Sequence, residues 1–479
     1  MIKYLLFCWY VILFFSCNGE ERPSYATREL IFPDYRDVTI PVNIAPLSFY
    51  VNLPEMDKDV RILLRTQTCE LVCQGKEICF SSHEWRELVM SDSVLNVWVQ
   101  KKTDRLWNNV DSFKIYVSAD PIDPYLSYRL IEPGYEVWGN MGIYQRCLAN
   151  YEENAIFENS GVKETCVNCH TTNQGNPEEY IFHQRSKSAG TILVKDGIVS
   201  KLNTDYSQKI KALVYPSWHP SGKYIAFSVN KTVQTVHSQH RNRIEVMDLH
   251  SDIVILDVQK NILLTSSQLS SADAYETFPC FSSDGKKLYF CSAPAISLPD
   301  SFDFVRYNLC SLDVDLEKGV LGSKIDTVIR VDTLNTSLSF PKISPSGRFM
   351  LYTRHAYGNF SIWHRDADLC MYDLQSQREI DISVLNSEEA ESFHSWSSEG
   401  HWIVFSSRRM TGLFTCLYLA HIDSLGYAGK PFLLPQKRND SYFFRYKSYN
   451  VPEFMKGAWC SACCCSSPAI CSSTTSRAM

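Results

Sequence analysis

Residues 281–292 read FSSDGKKLYFCS, and related segments recur along the chain at similar intervals. The related segments are WHPSGKYIAFS at 218–228, ISPSGRFMLY at 343–352 and WSSEGHWIVFS at 396–406. Their glycines, Gly222, Gly285, Gly347 and Gly400, lie 63, 62 and 53 residues apart. A spacing this regular indicates one structural unit that occurs at least four times.

Each unit has the pattern of two strands joined by a tight turn. The glycine accepts the positive φ that such a turn requires, and the residues after it alternate as an outgoing strand. A third strand then ends in an aspartate, at Asp248, Asp313, Asp373 and, less clearly, Asp423. Sheets of three or four strands at this period are propeller blades, which bury their faces only against neighbouring blades. The units therefore predict a closed ring.

These segments resemble the blades of the TolB family, whose motif P-x-W/F-S-P-D-G-K-x-I-A-F-x-S they follow over residues 190–436. The resemblance implies a TolB-like β-propeller. A weaker unit at 190–203 and a strand at 431–436 bring the expected number of blades to five or six. TolB-like blades also precede a peptidase domain in prolyl-oligopeptidase-type enzymes. A peptidase of that class is not predicted, because the sequence has no G-x-S-x-G motif and no hydrolase-sized region after the repeats.

The remaining sequence divides into further segments. Residues 1–17 predict a lipoprotein signal peptide, and 18–119 alternate in short runs typical of an antiparallel, immunoglobulin- or fibronectin-like β-sandwich. Residues 120–177 are irregular and are predicted to connect this sandwich to a propeller at 178–455. The Cys- and Ser-rich tail at 456–479 is expected to be disordered or non-native. The predicted fold class is all-β.

The N-terminus has the features of an export signal. Lys3 precedes an apolar run over residues 5–15 that is shorter than a transmembrane helix. The Ser16-Cys17 pair resembles a relaxed lipoprotein cleavage site, which implies that Cys17 is acylated and anchors the protein to a membrane. Plain secretion is the alternative. We therefore expect an exported protein at the outer membrane, facing the periplasm or the surface. The net charge of −6 does not favour nucleic acid as a partner.

One short motif indicates a chemistry: residues 166–170 read CVNCH, an instance of C-x-x-C-H. Two thiols three positions apart on a single turn can form thioethers to the vinyl groups of one haem, and the histidine then lies under the iron. Cys166 and Cys169 are thus the predicted attachment points of one covalent haem c, with His170 as the proximal iron ligand. The alternatives are a disulfide, a redox pair of thiols or half a zinc site.

The sequence leaves open which residue faces the iron on the other side. His183 follows His170 by 13 residues and is the first candidate, with Arg185 as a contact for a haem propionate. His237, in a polar stretch of the first clear repeat, is the second candidate, and Met141 is another. A second axial ligand would give a low-spin electron carrier, whereas an open position would allow peroxide chemistry.

The order of segments resembles exported haem-motif proteins of Bacteroidetes-type bacteria, in which a C-x-x-C-H segment joins a β-sandwich to a TolB-like propeller. The leading hypothesis is a membrane-anchored c-type cytochrome that transfers electrons, with the propeller as a docking platform for a redox partner or envelope protein. The alternative is a non-catalytic TolB-like propeller that acts as a binding module of the cell envelope. A haem peroxidase is the third hypothesis. No catalytic side chain is predicted, and an electron carrier or binding protein is favoured over an enzyme.

Overall fold

The computed structural model describes residues 29–132, 140–159, 165–186, 189–202, 212–238, 242–331, 334–444 and 446–459. Within these ranges almost all regular structure is β-strand, arranged in eight sheets. None of the helices there is long and apolar enough to cross a membrane. The prediction of an all-β protein is confirmed.

Two sheets and one α-helix make up most of the described N-terminal residues, 29–118. Its elements are β1 (Ile31–Phe32), β2 (Thr39–Pro41), β3 (Phe49–Val51), β4 (Val60–Arg65), β5 (Glu70–Gln74), β6 (Glu77–Ile78), α1 (Ser82–Ser91), β7 (Val94–Thr103) and β8 (Leu106–Ser118). The smaller sheet has the strand order β1-β3-β6, and the larger has the order β2-β8-β7-β4-β5. Strand β2 pairs with β8 in parallel, whereas the remaining pairs are antiparallel. This part differs from the expected sandwich in that parallel edge strand and in the helix.

Helix α1 begins at a capping box, a local sequence signal that lies between segments with the alternating pattern of strands. Ser81 caps the helix through a reciprocal pair of contacts with Glu84, a capping box. Trp85, Leu88 and Val89 are buried together because residues three and four apart share one helical face. The helix therefore covers the core of the N-terminal sheets.

The described residues from 125 onward form six four-stranded antiparallel sheets. Their strands are β9 (Tyr125–Ile131), β10 (Gly142–Cys147), β11 (Glu153–Glu158), β12 (Thr165–Asn173), β13 (Asn176–Ser186), β14 (Gly190–Lys195), β15 (Ile198–Leu202), β16 (Val214–Trp218), β17 (Tyr224–Val236), β18 (Ile244–Asp257), β19 (Ile262–Leu264), β20 (Ala274–Phe281), β21 (Lys287–Pro294), β22 (Asn308–Asp315), β23 (Val320–Ile329), β24 (Ser337–Ile343), β25 (Phe349–His355), β26 (Asp368–Asp373), β27 (Arg378–Ile380), β28 (Glu391–Trp396), β29 (Trp402–Ser407), β30 (Cys416–His421), β31 (Phe432–Leu433) and β32 (Ser448–Met455). A short helix, α2 (Ser441–Phe444), precedes β32.

These sheets are the blades of a propeller. Blade 1 has the strand order β32-β9-β10-β11, and blades 2 to 6 are β12 to β15, β16 to β19, β20 to β23, β24 to β27 and β28 to β31. The first strand of each blade contacts the first strand of the next, and β32 contacts both β28 and β12. The ring therefore closes with six blades, and the C-terminal strand completes the blade that β9 begins.

The repeated glycines occupy the turn between the first and second strands of blades 3 to 6. Gly222, Gly285, Gly347 and Gly400 have φ between 68° and 77°. In each turn the glycine N–H donates to the carbonyl three residues earlier, at 2.8 to 3.0 Å. The turn chemistry predicted from the repeat is thus realised four times, and it fixes where the outgoing strand begins.

The structure differs from two predicted boundaries. Residues 120–177 were expected to form a connector, but they contain β9, β10, β11 and β12, so blade 1 and the first strand of blade 2 begin before residue 178. The third strand of blade 3 was expected to end at Asp248, yet β18 continues to Asp257. Asp257 pairs with Tyr224 just as Asp373 pairs with Phe349 in blade 5. Asp248 is instead buried within its strand.

Candidate functional site

A β-bulge interrupts the innermost strand of every blade. Each appears as a break in the pairing with the second strand, and each contains a non-glycine residue with positive φ. The six residues, with φ in degrees, are Cys169 (53), Tyr215 (50), Phe278 (54), Phe340 (54), Phe393 (26) and Val451 (51). Bulky residues seldom adopt this conformation, and bulges often re-aim side chains beside functional sites. All six residues line one cavity on the propeller axis.

Four of these bulge residues make the cavity partly aromatic. The ring of Phe278 lies 4.3 Å from that of Phe340 and 4.6 Å from that of Tyr215, measured between centroids. Phe393 continues the group, 4.8 Å from Phe340. The cavity has a volume of about 390 Å³, which falls in the range of small-molecule sites. One wall can therefore hold the apolar body of a ligand.

The residue after each bulge also lines the cavity. It is a proline in four blades, namely Pro216, Pro279, Pro341 and Pro452. In blades 2 and 6 it is His170 and His394. Because β12 and β28 both contact β32, these two histidines lie on either side of blade 1. The cavity thus carries imidazole nitrogens at two of six equivalent positions.

The C-x-x-C-H motif lies on β12, with Cys166, Cys169 and His170 all lining the cavity. Haem attachment was predicted from two thiols on a single turn, but Cys166 lies in a regularly paired stretch of strand and Cys169 occupies the bulge. An extended strand rises about 3.3 Å per residue, so positions three apart can be separated by about 10 Å. The motif therefore lies on a strand that is interrupted by a bulge, and not on the single turn from which haem attachment was predicted.

Of the other predicted haem contacts, two line the cavity and two do not. Arg185, which pairs with Cys166 across the strands, lines the cavity, as does Met141. His183 is buried inside blade 2, with Nδ1 2.9 Å from the hydroxyl of Thr191, and is not among the lining residues. His237 packs against the ring of Phe302 at 6.4 Å between centroids and also lies outside that lining.

Positive charge predominates in the cavity. Arg129, Arg185 and Lys342 line it, and no salt bridge joins them to a carboxylate within the described part of the chain. The Nε atom of Arg129 is buried without a hydrogen-bond partner there. Glu132 and Glu453 are the lining carboxylic acids. Glu453 is occupied by the Thr171 hydroxyl, at 2.6 Å, and the Thr172 backbone N–H, at 3.0 Å. An anion is the ligand that this charge distribution favours.

A fourth cation, Arg408, is held more firmly than the other three. Its Nε donates to the carbonyl of Ile362 at 2.7 Å, and its guanidinium carbon lies 3.5 Å from the centroid of the Trp363 ring. Burial lowers the pKa of Arg408 to about 9. A cation that already has these partners supports the wall of the cavity and adds to its positive potential.

Burial keeps the two cavity histidines neutral at physiological pH. Desolvation, followed by the charges of Arg129 and Lys342, lowers the pKa of His170 to about 3, against a smaller opposing effect of the Ser127 backbone. Desolvation and Lys342 likewise lower the pKa of His394 to about 3. Both nitrogens of His170 and the Nδ1 of His394 have no hydrogen-bond partner among the described residues. The Nε2 of His394 lies 3.2 Å from the Leu351 carbonyl oxygen. The remaining nitrogens of these neutral imidazoles can donate or accept a hydrogen bond, or ligate a metal.

The sequence predicted the cavity residues of the C-x-x-C-H motif but few of those from the other blades. The residue after the bulge lies six positions before the turn glycine in blades 3 to 6: Pro216, Pro279, Pro341 and His394. Aligning the repeats at their glycines would have revealed this column and its histidine. Arg129 and Glu453 come from β9 and β32, which lie outside the repeated segments. Only closure of the ring brings them to the cavity.

Two predicted features lie outside the described residues: the signal peptide with its candidate lipidation site, Cys17, and the tail from residue 460 onward. The first residues of the predicted tail are described. The Gly457 carbonyl accepts from Gln145 Nε2 at 3.0 Å, and the Trp459 ring lies 4.9 Å from that of Tyr180. These residues therefore pack against blades 1 and 2.

Comparisons with known proteins give only distant similarities. No family model matches the chain, and no curated protein matches it. Among solved structures it is similar to TolB from Acinetobacter baumannii, with 11% identity, 78% of this chain and 85% of that chain covered, and a TM-score of 0.44. It is also similar to a puromycin-hydrolysing peptidase from Mycobacterium tuberculosis (10% identity, 84% and 57% covered, TM-score 0.38). The propeller domain of the trilobed protease from Pyrococcus furiosus is a third (11%, 72% and 95%, TM-score 0.32).

Proposed function

We propose that the protein is a non-catalytic TolB-like propeller that acts as a binding module of the cell envelope, with the axial cavity as its ligand site. The observation that carries this proposal is the cavity lining, in which Arg129, Arg185 and Lys342 form no salt bridge with a described carboxylate and lie beside an aromatic wall. A ligand with an anionic group and an apolar body satisfies both features. Such a ligand can be an acidic, aromatic segment of a partner protein or a small organic acid.

An anionic, apolar dye tests this proposal directly. Titration with 8-anilinonaphthalene-1-sulfonate, followed by its fluorescence, measures binding to the folded chain. Lys342→Met removes a cation from the cavity, and we expect at least about tenfold weaker binding, since a hydrogen bond to a charged group contributes about 1.5–3 kcal/mol. Lys324→Met is the matched control, because Lys324 is 83% exposed and bonds Asp326. Equal affinities for the two variants would contradict the proposal.

A membrane-anchored c-type cytochrome is the second candidate. It is favoured by one observation, namely that Cys166, Cys169 and His170 line the same cavity, where neither nitrogen of His170 has a hydrogen-bond partner among the residues that the structure describes. Covalent attachment would need β12 to leave its extended conformation. The full chain, expressed in a host that attaches c-type haem, should then carry haem on a denaturing gel, and Cys166→Ala/Cys169→Ala should not. Absence of haem from the wild-type chain eliminates this candidate and the haem peroxidase with it.

The anchor is a separate part of the proposal. Acylation of Cys17 would place the propeller at the outer membrane, facing the periplasm or the surface. Cys17→Ser should then release the protein from the membrane fraction, while dye binding by the cavity should stay unchanged. An unmodified N-terminus on the mature wild-type protein, measured by mass spectrometry, would contradict the anchor without affecting the binding site.

A further inference from the structure

A second cluster of polar side chains lies where the N-terminal sheets meet blade 6, and none of its residues lines the axial cavity. Asp120 follows strand β8, His401 lies in the turn that leads into β29, and His421 ends β30. One ligand atom from each of the three side chains lies within 4.8 Å of the others. Asp120 and His421 are 301 residues apart in sequence. Three chain segments thus converge on one point.

The spacing of these atoms is close to that of a coordination shell. His421 Nε2 lies 2.9 Å from Asp120 Oδ2, and His401 Nδ1 lies 4.0 Å from the same oxygen. Ligands about 2.1 Å from a tetrahedral ion lie about 3.4 Å from one another. The two distances to Asp120 fall on either side of that value, and the two histidine nitrogens lie within 4.8 Å of each other, so small side-chain shifts would seat an ion between the three residues.

The surrounding structure holds the three residues in place without an ion. The two histidine backbones are tied by the Ile422 N–H, which donates to the His401 carbonyl at 2.8 Å. The buried Trp402 donates from Nε1 to the Asp120 carbonyl at 3.0 Å, and its ring lies 4.9 Å from that of His421. The His401 and His421 rings are nearly parallel, with centroids 6.4 Å apart. Little ordering is left for a ligand to impose.

The Ser118 hydroxyl supplies an outer contact of the kind that metal ligands usually have. Its oxygen lies 2.9 Å from Asp120 Oδ2 and 3.3 Å from His421 Nε2. Groups that hydrogen-bond to ligands fix their orientation, and their loss typically weakens metal binding about 10- to 100-fold. The side chains of Asp120 and His401 are 39% and 38% exposed, so an ion can enter from solvent.

We propose that Asp120, His401 and His421 bind one divalent transition-metal ion of the zinc type. Two imidazoles and one carboxylate suit zinc and its first-row neighbours rather than magnesium or calcium, which prefer oxygen ligands throughout. Three protein ligands leave a fourth position for water. Because Asp120 follows the N-terminal sheets while both histidines belong to blade 6, the ion links these two parts of the molecule.

Equilibrium dialysis of the untagged full chain against zinc, with metal analysis of the protein, tests this site. The decisive variant is His401→Gln/His421→Gln, which leaves every cysteine and the cavity on the axis unchanged. We expect the wild type to retain one more zinc per chain than this variant, and His83→Gln to match the wild type. His83 is a suitable control because it is 81% exposed and lies near a carboxylate, that of Glu87, on helix α1.

Two further measurements separate a bound ion from a simple ion pair between Asp120 and a histidine. Ser118→Ala should weaken zinc binding about tenfold while leaving the apo protein's melting temperature near that of the wild type. Zinc should raise the melting temperature of the wild type but not of the double variant, since only an ion bound to the native state stabilises it. Equal zinc content in the wild type and the double variant overturns the proposal, whatever dye binding shows about the axial cavity.

Discussion

Closure of the ring by the C-terminal strand can be tested with one substitution. Phe454 on β32 is 4% exposed and pairs with Leu126 on β9, at the other end of the propeller sequence. Truncating a buried phenylalanine to alanine typically costs about 3–5 kcal/mol. We expect Phe454→Ala to lower the free energy of unfolding by that amount. With an m-value of about 3 kcal/mol per M or more, the urea midpoint should fall by about 1 M.

The control is the same chemical change ten residues earlier in the sequence. Phe444, at the end of α2, is 47% exposed, and Phe444→Ala should change stability by no more than about 0.5 kcal/mol. A double-mutant cycle of Phe454→Ala with Leu126→Ala should give a coupling energy of about 0.5–3 kcal/mol. Urea unfolding followed by far-UV circular dichroism measures all four variants. Equal midpoints for the two phenylalanine variants, or additive effects in the cycle, would refute closure by β32.

Three other predictions concern single sites. Gly285→Ala should lower the melting temperature more than Gly319→Ala, and equal shifts would contradict this. Both glycines have positive φ, but an added Cβ would lie 2.2 Å from His219 Nε2 at Gly285 and in open space at Gly319. Burial raises the pKa of Asp248 to about 8 from 3.8, so wild-type stability should fall as pH rises from about 4 to 8. Asp248→Asn should reduce this loss in urea midpoints taken across the range, whereas an equal loss in the variant and the wild type would count against the prediction. Burial lowers the pKa of His394 to about 3 from 6.5, so stability should be lost as pH falls from 6.5 towards 3. His394→Gln should lose less stability in acid by the same assay, whereas a variant as acid-sensitive as the wild type would show that His394 is not responsible.

The all-β class and the repeated blade could both be predicted from the amino-acid sequence. Both are local properties: a glycine that accepts positive φ fixes each turn, and alternation fixes the strands on either side of it. Gly222, Gly285, Gly347 and Gly400 accordingly occupy equivalent turns. The number of blades could be predicted as five or six, because each blade with a clear glycine turn is recognisable from its local sequence. Blade 1 does not, because its strands come from both ends of the propeller sequence.

The position of the candidate binding site could not be predicted from the sequence, because it depends on long-range strand pairing. Cys166, Cys169 and His170 are adjacent in sequence, but whether they occupy a turn or a strand depends on pairing with β13, and that pairing places them on the axis. Arg129 and Glu453 reach the same cavity from neighbouring strands that are more than 300 residues apart in sequence. Ser127 and Glu453, which are hydrogen-bonded across these strands, are 326 residues apart. Long-range closure of this kind leaves no local periodicity in the sequence. Composition and spacing therefore revealed the blades, while the site between them arose only when the ring was complete.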